Sequence, residues 1–464
     1  MEPYKGARDF YPNEMRIRNY IFDIWRETAL SFGYEEYDFP FIERYELYAE
    51  KSGEDLVKNQ LYDFEDKGGR KVAIRPEKTP SLARMVAAKI NALSRPIRWF
   101  NIGNCWRYEK PQKGRGREFF QFDCDIFGVD GVAADVEVFS IPVEVMLRLG
   151  ATKDMFEIRV ANRKLAEDYF GNEVKLSGMI NKKGSQMNKV AKIVDSINKI
   201  SQKEFEETLE KEGLNTRQVE KVSAFVEADL GFLERFSDSS EGAKETLKFF
   251  KLMEEAGYRD YFKFRPDIMR QFDYSTGIVI EQFDLNPKNN RAMFGGERYS
   301  DLINLFTDVP LSGTGFAMGD MTLLEFLRGW NLVPDLIQEV DYLVTLWPSD
   351  STKKNGGKDN KYMANTLKIA RKLREKGNRV ITWLEPGASI SQQLSYASKK
   401  GVKNVIIRGD KEAGKGTVSI KNMATGEQKE VNLEEQKKNL SSRTVLRGVC
   451  PFSKSTFNIV FYHF

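Results

Sequence analysis

Histidine is almost missing: the 464 residues contain one, His463, beside the C-terminal residue. Zinc sites of the HExxH type, Ser-His-Asp triads and Cys-His dyads all need imidazole, so none of them can be built here. Cysteine is scarce as well. Cys105, Cys124 and Cys450 show no CxxC spacing, and an odd count does not suit a disulfide framework, so a reducing, cytoplasmic setting is expected. No window reaches the ~18 uninterrupted apolar residues of a membrane span, and the opening MEPYKGARDFYPNEMR lacks the apolar core of a signal peptide. A large excess of one charge is absent too: Lys plus Arg is 72 and Asp plus Glu 68, a net +4 that does not diagnose a nucleic-acid partner. Any catalysis is left to carboxylates, Lys, Arg, Tyr and backbone dipoles.

What is present is the composition of a globular chain, 41% hydrophobic and 30% charged. At roughly 150 residues per domain its length favours about three domains. An amphipathic stretch from Pro12 to Phe32 predicts a helix closed by Gly33. YEEYDFPFIERYELY, with Pro40 inside, reads as an extended segment at a sheet edge or interface. LYDFEDKGGRKVAIRPE reads as a hairpin turning at Gly68 and Gly69. From Pro96 to Gly128 two aromatic-rich runs flank the basic EKPQKGRGRE, which predicts two antiparallel strands and a long loop suited to an anionic ligand. A helix is expected around Val136 to Leu149.

Between 172 and 260 the composition turns to Lys, Glu, Asn and Ser with helical periodicity, the pattern of a helical insertion. DYSTGIVIEQF and RAMFGGERYSDL then carry strand signals, and GTGFAMGDMTLLEFL reads as strand, glycine turn and helix. After Trp330, DYLVTLWP, MANTLKIARKLREKG, NRVITWL, SISQQLSYASKKG and KNVIIRGD alternate strand and helix, predicting a separate parallel α/β unit. PSDSTKKNGGKDNK reads as a polar loop within it, and the tail 441–464 matches neither period.

Four short constellations carry chemistry. Arg107-Tyr108-Glu109, followed by Gln112, Lys113, Arg115, Arg117 and Phe119, supplies guanidinium forks for phosphates, a carboxylate for an exocyclic amine and an aromatic face for a base. By spacing alone, a solvated basic hairpin loop is an equal reading. In Arg75-Pro76-Glu77-Lys78-Thr79, Glu77 could bind an ammonium group or serve only the start of a helix. Arg270 with DYSTG, and Gly295-Gly296-Glu297-Arg298-Tyr299, offer donors beside glycines that permit close backbone approach, or plain turns with satisfied charges.

In order, these segments resemble the class II aminoacyl-tRNA synthetases and, more narrowly, the histidyl-tRNA synthetase family. KGARDFYP is similar to that family's opening motif, GYEEYDFPFIE to its first class motif, and WRYEKPQKGRGREFFQFDCDIFG to its second. The likeness runs over roughly residues 5 to 435 and is weaker in the helical insertion. It implies an α+β catalytic domain on an antiparallel sheet over 1–171 and 261–332, interrupted by the insertion 172–260. It further implies a C-terminal α/β anticodon-binding domain over 338–438, and leaves 441–464 unassigned.

The resemblance also implies roles. Arg107 and Arg270 would be catalytic at the α-phosphate of ATP, where Arg270 does work that a metal ion does in related enzymes; Arg115 would hold the distal phosphates, Glu109 the adenine amine, and Phe119 the ring face. Glu77, Thr79 and Gln121 would bind the amino group of L-histidine, while Asp125, Tyr274, Ser275 and Tyr299 complete its pocket. Gln112, Lys113 and Arg117 become candidates for the tRNA acceptor end, and Pro40 for a homodimer interface. ATP with Mg2+, L-histidine and tRNA(His) are the implied substrates, with no structural metal and no membrane partner. A synthetase-like regulatory protein that binds histidine or RNA is the alternative reading.

Three positions depart from the family pattern. Ser275 replaces a tyrosine that reaches the far imidazole nitrogen, Thr322 stands in the third class motif for an arginine that covers adenine, and Glu297 stands for a glycine. Arg328 is six residues beyond Thr322, about 240° around a helix, so it is not expected to substitute.

Overall fold

The apolar spacing of the first stretch becomes α1 (Pro12–Ser31), with proline in its first turn and Gly33 just past its end at φ 78°. The computed structural model describes the chain apart from residues 50–55, 270–274, 290–291, 300–301, 337–338, 349–361 and 433–464 and the side chain of Leu305. Two units are present, Met1–Pro334 and Asp335–Phe464.

In the first unit, α1 leads to β1 (Glu35–Glu36), β2 (Ile42–Arg44) and α2 (Tyr45–Ala49). The segment expected to be extended throughout therefore ends in a helical turn, because that turn buries Leu47 and Tyr48 together. β3 (Tyr62–Glu65) and β4 (Lys71–Ile74) form the hairpin and join β2 in a three-stranded sheet ordered β2-β4-β3. α3 (Thr79–Ala88) precedes the long antiparallel pair β5 (Ile97–Trp106) and β6 (Glu118–Phe127), and α4 (Val132–Arg148) follows.

After β7 (Phe156–Asn162) and α5 (Arg163–Tyr169) come five more helices: α6 (Gln186–Asp195), α7 (Gln202–Lys211), α8 (Thr216–Val226), α9 (Leu230–Phe236) and α10 (Glu241–Glu255). Each of the five starts at a side-chain cap, respectively Ser185, Ser201, Asn215, Asp229 and Ser240, whose oxygen accepts from the backbone three residues on. Together with α5 they enclose their own core around Phe170, Phe205, Phe225 and Leu233. β8 (Phe262–Phe264), β9 (Ile278–Asp284), β10 (Ala292–Tyr299), β11 (Gly313–Gly319) and α11 (Asp320–Gly329) complete the unit.

Eight strands form its main sheet, in the order β1-β5-β6-β11-β10-β9-β7-β8. The middle is antiparallel as expected, but the outer pairs β1·β5 and β7·β8 are parallel, which makes the sheet mixed. β10 runs straight through Gly295-Gly296, where a turn was one reading. A Cβ on Gly296 would lie 2.8 Å from Phe139 of α4, so the bare backbone lets that helix pack close. One face of the sheet is covered by α1, α4, α10 and α11. There Trp25 stacks on Phe122 at 5.5 Å between ring centres, beside Phe139, Phe249 and Phe326.

The second unit is a five-stranded sheet built from β12 (Val340–Val344), β13 (Val380–Thr382), β14 (Val402–Ile407), β15 (Thr417–Asn422) and β16 (Gln428–Asn432). α12 (Met363–Glu375) covers Val344 and Ile406 on one face, and α13 (Ile390–Lys399) covers Leu343 and Val405 on the other. β12, β13 and β14 are parallel. The fully parallel expectation is corrected by β15 and β16, which are antiparallel because only the six-residue α14 (Asp410–Lys415) and a tight turn at Gly426 connect them. The polar loop from 349 onward and the tail 441–464 lie outside the described residues.

Candidate active site

Strand β6 sorts its residues by parity. Phe120, Phe122, Cys124 and Ile126 face α1 and the buried core, while Phe119, Gln121, Asp123 and Asp125 face the other way into a cavity of about 320 Å³. The antiparallel register places Asp125 beside Gly315 of β11 and Gly315 beside Glu297 of β10. It likewise aligns Asp123, Ala317, Gly295 and Glu281 across four strands. α3 starts at the cavity wall with Glu77, Lys78 and Thr79.

Acids crowd the floor of this cavity. Asp125 is fully enclosed, and burial first, then the charge of Asp123, pushes its carboxyl up to about 8. The Tyr299 hydroxyl donates to Asp125 Oδ1. Asp123 is raised above the usual carboxylate range by burial, opposed by Lys78. Lys78 Nζ lies 2.7 Å from Asp123 Oδ2 and donates to the Gln121 carbonyl at 2.8 Å, its side chain wholly buried. Gly315 is required here: a Cβ would sit 2.1 Å from Asp125 Oδ1.

The other end of the cavity is basic and aromatic. Arg107 Nε donates to the Pro76 carbonyl at 2.9 Å, and its guanidinium lies 5.3 Å from the centre of the Phe119 ring. Glu109 and Arg115 face each other at 3.9 Å. The opening segment braces this end. Arg8 holds Asp320 at 2.7 Å, Asp320 accepts from the Phe120 amide at 2.9 Å, and the Gly6 carbonyl accepts from the Arg117 and Glu118 amides.

Of the residues singled out from sequence, Arg107, Glu109, Arg115 and Phe119 line this one cavity. So do Glu77, Thr79, Gln121, Asp125 and Tyr299. Gln112, Lys113 and Arg117 do not. Lys113 pairs with Glu325 at 3.3 Å, and Arg117 donates to the Tyr4 hydroxyl at 2.7 Å while stacking on Tyr108. Pro40 is exposed away from the cavity, next to exposed Phe41 and Ile42. Ser275 is buried but is not part of the cavity wall. Arg270 and Tyr274 lie outside the described residues.

Thr322 lines the cavity, but its hydroxyl is spent on the Met293 carbonyl at 2.9 Å, and Arg328 pairs with Glu325 on its own helix. Arg298, read as a possible donor to a ligand, points to the opposite face. There it grips Asp135 in two-pronged fashion, with Ser312 Oγ at 2.6 Å. Strand parity allows only one of Glu297 and Arg298 to face the cavity, and it is the glutamate. Lys78 and Asp123 went unassigned in the sequence. The signal for Asp123 was available, since alternation from Asp125 puts it on the same face.

This sheet and the C-terminal α/β unit are those of a class II aminoacyl-tRNA synthetase with its anticodon-binding domain. A family model described as histidyl-tRNA synthetase matches residues 6–323, and one described as anticodon binding domain matches 351–443. The histidine–tRNA ligase of Leptospira biflexa is 39% identical over 92% of this chain and 94% of its own length. That of Halobacterium salinarum is 37% identical, covering 91% and 94%. The crystal structure of histidyl-tRNA synthetase from Nostoc sp. PCC 7120 superposes with a TM-score of 0.74 at 26% identity, covering 95% of this chain and 99% of that one. The chain belongs to the histidyl-tRNA synthetase family.

Proposed function

We infer that the chain joins L-histidine to ATP as histidyl-adenylate and transfers the amino acid to the 3′ end of tRNA(His). One observation carries the reading: a single cavity has guanidinium and aromatic groups at one end and a buried acid floor at the other. ATP enters as its Mg2+ complex. Arg107 grips the α-phosphate, with Arg270 as its partner in that role, Arg115 takes the distal phosphates, Glu109 the adenine amine and Phe119 the ring face. Glu77, Thr79 and Gln121 hold the amino group of histidine, and Asp125, fixed by Tyr299, accepts from the ring N–H.

The substrate carboxylate then attacks the α-phosphorus and pyrophosphate leaves. Guanidinium charge stabilises the oxygens that become more negative in that transition state. A hydroxyl of the terminal ribose attacks the carbonyl carbon of the adenylate, and AMP departs. Gln112, Lys113 and Arg117, on the loop beside the cavity mouth, are the candidates for guiding the tRNA end. The C-terminal unit takes the anticodon, and Pro40, Phe41 and Ile42 form part of a homodimer contact.

Histidine-dependent exchange of pyrophosphate into ATP, followed by charging of tRNA(His), tests the reading. Exchange with histidine alone among twenty amino acids is expected, and no exchange with any of them would overturn it. A silent regulatory protein is not favoured, because named ligases align along nearly the whole chain.

A further inference from the structure

Lysine is a poor choice for the residue that starts a helix. That position favours Ser, Thr, Asp or Asn, and the positive end of the helix dipole repels an ammonium group. Lys78 nevertheless stands as the N-cap of α3 and makes no cap bond with its side chain. The side chain is wholly buried and runs to β6 instead, where Nζ lies 2.7 Å from Asp123 Oδ2 and 2.8 Å from the Gln121 carbonyl oxygen. A local rule is broken in favour of a contact in the cavity wall, which both Lys78 and Asp123 line.

The order of residues along β6 says what that contact serves. Phe119, Gln121, Asp123 and Asp125 follow one another on the cavity face, from the basic and aromatic end to the acid floor. Four residues of strand, from Gln121 to Asp125, span roughly 13 Å. The amino nitrogen of histidine is three bonds from its ring, so a ring held at Asp125 leaves that nitrogen about half of the way toward Gln121, beside Asp123. The Asp123 carboxylate can take it. Its two oxygens offer about four lone-pair positions, enough to accept from Lys78 and from a ligand at the same time. Lys78 first, then Arg75 and Arg107, favour its ionised form against the burial that raises its pKa. Asp123 is only 4% exposed, so a charge-assisted hydrogen bond made there meets little competition from water.

We propose that Asp123 is a further substrate-binding residue, which accepts from the α-ammonium group of the amino acid while Lys78 holds its carboxylate in position. This rests on the reading that the cavity takes histidine with its ring at Asp125. Lys78 is then a positioning residue, acting on the substrate through Asp123 and Gln121. A hydrogen bond to a charged group contributes about ten- to a hundredfold in affinity, so the contact selects for a free amino group.

The test needs no variant at first. In a crystal structure of the full chain with L-histidine, the ammonium nitrogen is expected about 2.7 to 3.2 Å from an Asp123 carboxylate oxygen, and a separation above about 4 Å would overturn the proposal. A second measurement compares L-histidine with 3-(imidazol-4-yl)propionate, the same molecule without its amino group, by titration calorimetry. The variant is Lys78→Met combined with Asp123→Asn, which removes both buried charges and strands neither. Histidine is expected to lose about ten- to a hundredfold in affinity and the deamino compound to keep its own. Equal losses for the two ligands, or no loss for histidine, would also overturn it. Absence of histidine binding and of histidine-dependent exchange in the wild type would instead sink the functional reading, while histidine bound and exchanged with its ammonium group away from Asp123 sinks only the role of Asp123.

Discussion

At the scale of single residues, Arg107 and Gly315 make opposite demands on the cavity. In the proposed reaction Arg107 supplies charge to the α-phosphate, so Arg107→Ala is expected to lower the rate of pyrophosphate exchange by about 100- to 1,000-fold. Gly315 contributes empty space. Gly315→Ala places a methyl 2.1 Å from the present position of Asp125 Oδ1 and forces that carboxyl aside. The KM for histidine should rise more than about tenfold while that for ATP stays put, since a misplaced buried acceptor costs substrate binding and not nucleotide contacts. A parallel rise in both constants would contradict this.

Asp125 also ties stability to pH. Its folded-state carboxyl, near 8, holds a proton that the unfolded chain has already released. Stability of the first unit therefore falls as pH rises from about 4 to about 8, by up to about 1.4 kcal/mol per pH unit from this group. Asp125→Asn should flatten that slope in urea titrations run across the range.

At the scale of elements, the Lys78–Asp123 pair ties the start of α3 to β6. Both side chains are buried, at 0% and 6% exposure, so Lys78→Met strands a carboxylate and should cost about 3–5 kcal/mol in chemical denaturation. Adding Asp123→Asn should restore much of the loss. This pair marks where reading the sequence runs out. The two aromatic-rich runs of β5 and β6 announce two strands, and the helical periodicity of 172–260 announces the helices after 185, because both signals are local. That Lys78 would meet Asp123 depends on how α3 returns to the sheet, a contact across 45 positions that periodicity does not encode. Arg298 fails for a related reason: alternation separates it from Glu297, but only the register with β11 decides which of the two meets the cavity. β15 and β16 were missed because a two-strand addition after Gly416 carries no helix to announce it.

At the scale of the molecule, the division after Pro334 separates two activities that the functional reading assigns to one chain. Truncation there is expected to leave histidine-dependent exchange largely intact and to reduce tRNA charging more than about tenfold, the anticodon contacts being lost. The exposed run Phe41 and Ile42, at 36% and 46%, adjoins Pro40 at the rim of the three-stranded sheet. In the proposed homodimer this run is part of the contact, and Ile42→Glu is then expected to lower the mass seen by light scattering to that of a monomer, because a charge at an apolar contact meets no partner.

The odd-even sorting of β6 also restricts how this gene can change its length. Losing or gaining one codon between 119 and 125 would send acids into the hydrocarbon packed under α1 and present phenylalanines to the cavity. A change of length inside β6 is thus excluded, and the turn before it can absorb one only between Glu109 and Arg115, where the strand register is not at stake.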